Sequence, residues 1–196
     1  MRLNLGCGTD IRPGYTNVDF RALTTDVLQV DLSRFPWPFT DRSADEILML
    51  DFLEHFEYRK IDAILQEAWR VLVPAGELQV QVPDFTQCAA AVRQLIGEYV
   101  CNRCEKEFSV AWNVDHGRVC SNCGQSLDEM SQVAMQRLFG GQDYTGNYHM
   151  FSFTQATLEK RLRKNGFCDF ELLEAEHQYR MWNFKARAKK GDLGWA

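Results

Sequence analysis

"LNLGCGTDIRPGYTNVDF" occupies residues 3–20. Leu3-Asn4-Leu5 reads as a short strand that runs straight into Gly6 and Gly8. Glycine lets backbone come close to a ligand, because no Cβ intervenes. Thr16 to Asp19 reads as a second strand. The link between the two contains Pro13-Gly14, a turn signal, which leaves no room for a full crossover helix. In open α/β sheets, ligands bind beyond the carboxyl ends of the strands, and Gly6, Gly8 and Asp19 all fall there. A carboxylate at that point can accept hydrogen bonds from both hydroxyls of a ribose, typically worth ~1.5–3 kcal/mol each. A dinucleotide site asks for GxGxxG and an acid about 20 residues further on. Here position 11 is Ile11, and Asp19 comes eleven residues after Gly8. The shape suits a nucleoside without a pyrophosphate. The plainer alternative is a tight turn with a solvated aspartate.

Outward from this stretch, strands and helices alternate. Asp26 to Asp31 is extended, and Ile47 to Leu50 is a compact apolar strand. Ile61, Ile64, Leu65, Ala68, Trp69 and Leu72 recur at helical spacing, and Pro74-Ala75-Gly76 ends that helix. Leu78, Val80 and Val82 alternate with polar neighbours, the period of a strand. Phe85 to Val100 reads as a helix with Asp84 as its N-cap. Ser126 and Glu129 have capping-box spacing and open a helix that runs to Gly140-Gly141. Thr154 to Lys164 is a further helix, closed by Gly166. Phe167–Leu173 and Tyr179–Arg187 are strand-like. The alternation predicts an α/β, Rossmann-like fold: a mostly parallel sheet covered on both faces, with a C-terminal antiparallel hairpin at its edge. "SRFPWPF" contains two prolines that forbid a regular element; its rings either form a binding box or, as expected here, pack over the sheet edge.

Residues 101–125 break the rhythm. Cys101, Cys104, Cys120 and Cys123 form two CxxC pairs separated by fifteen residues, the spacing of a four-thiolate zinc site. Phe108, Val110 and Trp112 alternate with polar neighbours, and Asp115-His116-Gly117 reads as a hairpin turn. The segment is therefore expected to be a small inserted zinc ribbon holding one structural ion. It would interrupt a parent domain of residues 1–100 and 126–196. Cys7, Cys88 and Cys168 read as small buried apolar residues.

The chain has 196 residues, with 45% apolar and 25% charged, and a formal net charge of −5. That length allows a core without disulfides. The acidic balance makes nucleic acid an unfavoured partner. So does the ribbon's charge: from Cys101 to Met130 there are three bases (Arg103, Lys106, Arg118) against five acids (Glu105, Glu107, Asp115, Asp128, Glu129). No apolar run approaches the ~18 residues of a membrane span, and Met1 to Leu5 is too soon polar for a signal peptide. A cytoplasmic protein with reduced or metal-bound thiols is expected.

Four stretches occur in order: the opening one, "DVLQVDLSRFPWPFTDRSADEILMLDFLEHF", "EAWRVLVPAGELQVQVPDF" and "YHMFSFTQATLEKRLRKNGF". Together they resemble the class I S-adenosylmethionine-dependent methyltransferases, most of all the small group associated with surface-polysaccharide synthesis. The resemblance covers roughly residues 1–100 and 126–190. It implies that Gly6, Cys7 and Gly8 line the methionine part of the cofactor and that Asp19 binds the ribose hydroxyls. By the same resemblance, Asp31 and Leu32 lie at the adenine, and Leu50 and Asp51 close the site under the sulfonium. One departure is Asp10, where the family's looser GxGxG pattern has a third glycine; Gly14 would do its job.

The chemistry expected is methyl transfer to an oxygen or nitrogen of a small or sugar-like acceptor. His149, with an unperturbed pKa near neutrality, is a candidate general base or a loop histidine packing under "MFSF". Asp84 is either an acceptor-facing carboxylate or a helix cap. Asp51 and Glu54 have capping-box spacing at the start of the long helix, and His55 is either beside the site or on the surface. The ribbon is most simply a wall or lid for the acceptor. The alternative from another class is a catalytically idle cofactor-binding scaffold whose ribbon recruits a protein partner.

Overall fold

A computed structural model describes residues 1–95, 101, 103, 104, 106, 110–113, 117–144, 146–176 and 182–192. Four parallel strands come first: β1 (Arg2–Leu5), β2 (Thr16–Asp19), β3 (Val27–Gln29) and β4 (Ala44–Leu50). A single 3-10 turn, Leu53–His55, leads into α1 (Tyr58–Val71), then β5 (Leu72–Pro83) and α2 (Phe85–Leu95). The inserted segment contributes β6 (Val110–Asn113) and β7 (Gly117–Cys120). The chain closes with α3 (Leu127–Phe139), α4 (Gln155–Lys164), β8 (Phe167–Leu173) and β9 (Asn183–Lys190).

The main sheet has seven strands in the order β3-β2-β1-β4-β5-β9-β8. β1 pairs in parallel with both β2 and β4, so the strand order reverses at β1. β9 runs antiparallel to both β5 and β8. This is the mostly parallel, Rossmann-like sheet with two antiparallel strands at one edge that the sequence predicts. No helix among the described residues is long and apolar enough to cross a membrane.

The core follows from the patterns. Leu3, Leu5, Val18, Ile47, Met49, Leu78, Val80 and Val82 of the sheet are buried against Ile61, Ile64, Leu65, Ala68 and Val71 of α1. Trp37 of "SRFPWPF" joins them, its indole N–H donating to the Leu32 carbonyl (3.0 Å). At α4 the Thr154 hydroxyl accepts from the Thr157 N–H and the Thr157 hydroxyl accepts from the Thr154 N–H (3.2 and 2.9 Å).

Several boundaries differ from the sequence reading. The helix expected to end at Pro74 ends at Val71, and Leu72 already pairs with Ala44 in the sheet. The pairing then skips to Glu46–Glu77, and Ala75, at φ +58°, sits in the resulting irregularity. The last strand was expected over Tyr179–Arg187 and instead spans Asn183–Lys190; residues 179–181 lie outside the described residues. So do Val100, Phe108, Asp115 and His116, together with the side chain of Glu129.

Candidate functional site

The turn after β1 is tight because two backbone donors share one acceptor: the N–H groups of Gly6 and Cys7 both reach the Val18 carbonyl, at 2.8 and 3.1 Å. Gly6 takes φ +69°, and a Cβ there would run into the Phe52 ring. Gly8 takes φ +50° and faces open space. The buried Asp19 carboxylate locks this turn to the end of β2. Its Oδ2 accepts from the Gly8 N–H and its Oδ1 from the Arg21 N–H, each at 2.9 Å. Each oxygen keeps a further lone pair for a ligand.

Two adjoining cavities, of about 250 and 670 Å³, open at these strand ends. Gly6, Gly8, Asp51, His55 and Tyr144 line both. Asp19, Asp31 and Leu32 line the smaller, with Phe20, Arg21 and Phe52 beside them. Cys7, Leu50 and Asp10 line the larger, together with Arg137, Asn147 and His149. The fold thus places all eight residues assigned above to the cofactor on the walls of one connected space. Gly14 is not among those lining residues; a Cβ there would meet the Arg2 guanidinium, so it serves the turn and does not stand in for a glycine at position 10. Asp10 itself lines the cavity, held by the Arg12 guanidinium (2.8 Å). The Asp31 carboxylate accepts from the Ser33 hydroxyl and N–H, which together with Arg34 hold it below the usual carboxylate range.

Asp51 takes φ +51° and is fixed from three sides. Gln81 Nε2 donates to its Oδ2 (3.0 Å), while Arg137 and Asn183 donate to its Oδ1 (2.6 Å each). Behind it stands Glu54, fully buried, with neither carboxylate oxygen hydrogen-bonded among the described residues. Burial and the Asp51 charge push its carboxyl well above the usual range. The capping box suggested by Asp51 and Glu54 does not form, since the turn Leu53–His55 has no side-chain cap.

His55 and His149 meet edge to face with ring centroids 4.8 Å apart. His55 Nδ1 is 3.2 Å from the Tyr148 carbonyl, and His149 Nδ1 is 2.7 Å from the Arg137 carbonyl. A carbonyl can only accept, so Nδ1 of His149 carries the proton and its Nε2 keeps the lone pair, while the His55 ring meets the Gly146 and Asp51 backbone as well as Tyr148. Burial lowers both histidines and brings His149 to about 4. Asp84, the other acid-base candidate, lines neither cavity. It is buried at the start of α2, where its Oδ1 accepts from the Thr86 N–H (2.8 Å), the contact of an N-cap. Sequence reasoning missed Arg137, Tyr144 and Asn147, because they belong to no local pattern.

The four ribbon cysteines come together. Their sulfurs all lie within 4.8 Å of one another, with Cys101–Cys123 at 3.6 Å and Cys104–Cys120 at 3.8 Å. Four sulfurs about 2.3 Å from a tetrahedral zinc would sit about 3.8 Å apart, so the set fits zinc. Burial pushes the Cys101 thiol up to about 12. Burial acts on Cys120 in the same sense, but the N–H groups of Asn122 and Cys123 together with the Cys101 and Cys123 thiols outweigh it and bring that thiol to about 7. Cys101 and Cys120 are buried with Cys88 of α2, Ala134 of α3 and Trp182. Among the described residues, none from 101–125 lines either cavity. The ribbon reaches the site through α3, which carries Arg137.

Residues 3–80 match a family model described as a methyltransferase domain. No curated protein matches the chain. Among solved structures, it is similar to an S-adenosylmethionine-dependent methyltransferase from Methanosarcina mazei (18% identity, TM-score 0.57, covering 97% of this chain and 92% of that one). It is also similar to one from Thermotoga maritima described as a possible histamine N-methyltransferase (15% identity, TM-score 0.56, covering 96% and 81%). A third similar chain comes from a Haloferax volcanii complex between the Trm112 methyltransferase activator and a putative methyltransferase (12% identity, TM-score 0.56, covering 100% and 83%). At these identities the likeness is one of fold. The fold is that of the class I S-adenosylmethionine-dependent methyltransferases.

Proposed function

We propose that this protein transfers a methyl group from S-adenosylmethionine to an oxygen or nitrogen of a small or sugar-like acceptor. The observation that carries this reading is the buried Asp19 carboxylate, tied to the Gly8 N–H on the wall of the smaller cavity. In this reading Asp19 takes the ribose hydroxyls, Asp31 and Leu32 face the adenine, and Gly6, Cys7, Gly8, Leu50 and Asp51 surround the methionine and sulfonium. The larger cavity then receives the acceptor. Bound cofactor supplies a methyl already activated by the sulfonium. The protein's task is alignment of the nucleophile, which can supply as much as ~7–11 kcal/mol.

The residues at the acceptor cavity suit that task. Asp51 is held by Gln81, Arg137 and Asn183, so its carboxylate offers a fixed wall. His149 presents an unprotonated Nε2, able to accept the acceptor's proton, whereas Asp84 caps α2. Zinc held by Cys101, Cys104, Cys120 and Cys123 would keep the ribbon folded, and the ribbon would hold α3 and Arg137 in place. The resemblance to methyltransferases associated with surface polysaccharide favours a sugar hydroxyl. Incubation with methyl-labelled S-adenosylmethionine and a panel of sugars, nucleotide sugars and amines tests the proposal. Labelled product with a hydroxyl- or amine-bearing acceptor supports it. Cofactor binding with no transfer to any of them favours the idle scaffold.

A further inference from the structure

We infer that Glu54, His55 and His149 form a site for one divalent first-row transition-metal cation on the acceptor side of the cavity, separate from the four cysteines. A carboxylate oxygen of Glu54 and one ring nitrogen from each histidine lie within 4.8 Å of one another. These residues come from the turn after β4 and from the segment before α4, so the fold itself gathers them.

Three independent observations point to a cation. First, Glu54 is fully buried and neither of its oxygens has a hydrogen-bond partner among the described residues. Buried polar groups are almost always partnered, and an orphaned carboxyl calls for an ion or water to complete it. Second, Arg137, whose charge reaches Glu54, donates to Asp51 and Asn183 and to neither Glu54 oxygen. Third, Nδ1 of each histidine meets a backbone carbonyl. A contact of that kind fixes the tautomer of metal-binding histidines, and in His149 it leaves Nε2 to coordinate.

Two neutral imidazoles and one carboxylate are the donor set of open, reactive zinc, iron and cobalt sites. Donors about 2.1 Å from an ion sit roughly 3.0–3.4 Å apart, so side-chain adjustments on the order of an ångström close the triad. His55 and His149 line the larger cavity, and Glu54 stands behind them. The remaining coordination positions therefore face the acceptor.

The role follows only if the protein is a methyltransferase as proposed above. With the ion bound, His149 Nε2 is a ligand and no longer the base, so an acceptor hydroxyl held at an open position loses its proton to water and becomes the nucleophile. Its oxygen forms the bond to the methyl carbon as the sulfur–methyl bond breaks, and the sulfonium leaves as a neutral thioether. The site thus selects an alcohol or phenol over an amine, and a vicinal diol would occupy two positions at once.

The test uses the full chain without cofactor or acceptor, stripped by a chelator and reloaded with Co²⁺. Thiolate-bound cobalt is marked by its sulfur-to-metal charge-transfer absorption; cobalt on nitrogen and oxygen shows ligand-field bands alone. Two cobalt ions per chain are expected, one of each kind. Glu54→Gln and His149→Ala should each weaken the sulfur-free ion at least about tenfold and leave the thiolate-bound ion in place. Glu54→Gln keeps the side chain's shape and removes only its ability to ionise, so it should fold, and the intact thiolate signal reports that. Absence of a sulfur-free cobalt in the parent would overturn the inference, as would its undiminished binding in both variants. S-adenosylmethionine binding, measured separately by calorimetry, shows whether the methyltransferase reading stands regardless.

Discussion

Leu5, Ile47, Leu65 and Val80 are fully buried between the main sheet and α1, among many aliphatic and aromatic neighbours. The second cluster, between α2, α3 and Trp182, is smaller and three of its buried members are cysteines: Cys88, Cys101 and Cys120. The first region has enough apolar surface to stand without help. The second places two metal-type thiols where a core would have leucines, and a segment of this size cannot bury a core of its own. Hydrophobic burial therefore holds the sheet that carries Asp19, whereas in the reading proposed above zinc holds the segment that packs on α3, the helix of Arg137.

The strongest way to break this contrast is to remove the metal. Apparent zinc affinities of zinc-finger peptides are on the order of 10–16 kcal/mol, so stripping should be the largest perturbation available. Hydrogen exchange should show protection lost over β6, β7 and α3 and kept over β1, β2, β4 and β5. Cofactor binding should stay within about tenfold, a difference of ~1.4 kcal/mol. Equal loss across the main sheet would show that the two regions fold as one.

Next in size is truncation of the main core. Leu5→Ala should destabilise the protein by about 2–5 kcal/mol in denaturant unfolding, with zinc content unchanged. Cys88→Ala removes little more than a sulfur and should cost only about 1 kcal/mol. It should also leave the parent's zinc content unchanged by elemental analysis. Loss of zinc in that variant would mean that the thiol set extends beyond the four ribbon cysteines.

The smallest effect concerns pH and belongs to the sheet side. Burial raises Glu176, but Lys185 and Arg12 outweigh it and bring its carboxyl to about 2. A depressed carboxylate stabilises the fold above its unfolded pKa, and that contribution is lost as pH falls from about 4.5 towards 2. The stability gap between parent and Glu176→Gln should therefore narrow over this range. A gap that stays constant would show that Glu176 does not carry the charge that ties Arg12 to β9.

Local patterns made β1, β2 and the glycine turn legible, because strand period, turn glycine and carboxylate lie within residues 3–20. The four-cysteine cluster was legible for the same reason, its members being set by short spacings. β9 was not. Its run "NFKARAKK" reads as polar, yet Lys185 and Lys190 are buried. Lys185 pairs with Glu176, and Lys190 donates to the Leu72 carbonyl (2.7 Å). Those partners come from distant parts of the chain, so no window could show them. Arg137 reaching Asp51 and His149 meeting His55 escaped for the same reason. Each depends on the sheet bringing together segments that the sequence keeps far apart.

Calorimetric titration of S-adenosylmethionine into the parent and into Asp19→Ala tests the central claim most directly. Saturable one-to-one binding in the micromolar range is expected. Asp19→Ala, folded by its thermal transition, should weaken binding by ~1.5–3 kcal/mol, the size of a charge-assisted hydrogen bond. No binding to the parent, or the same affinity in both proteins, would contradict it.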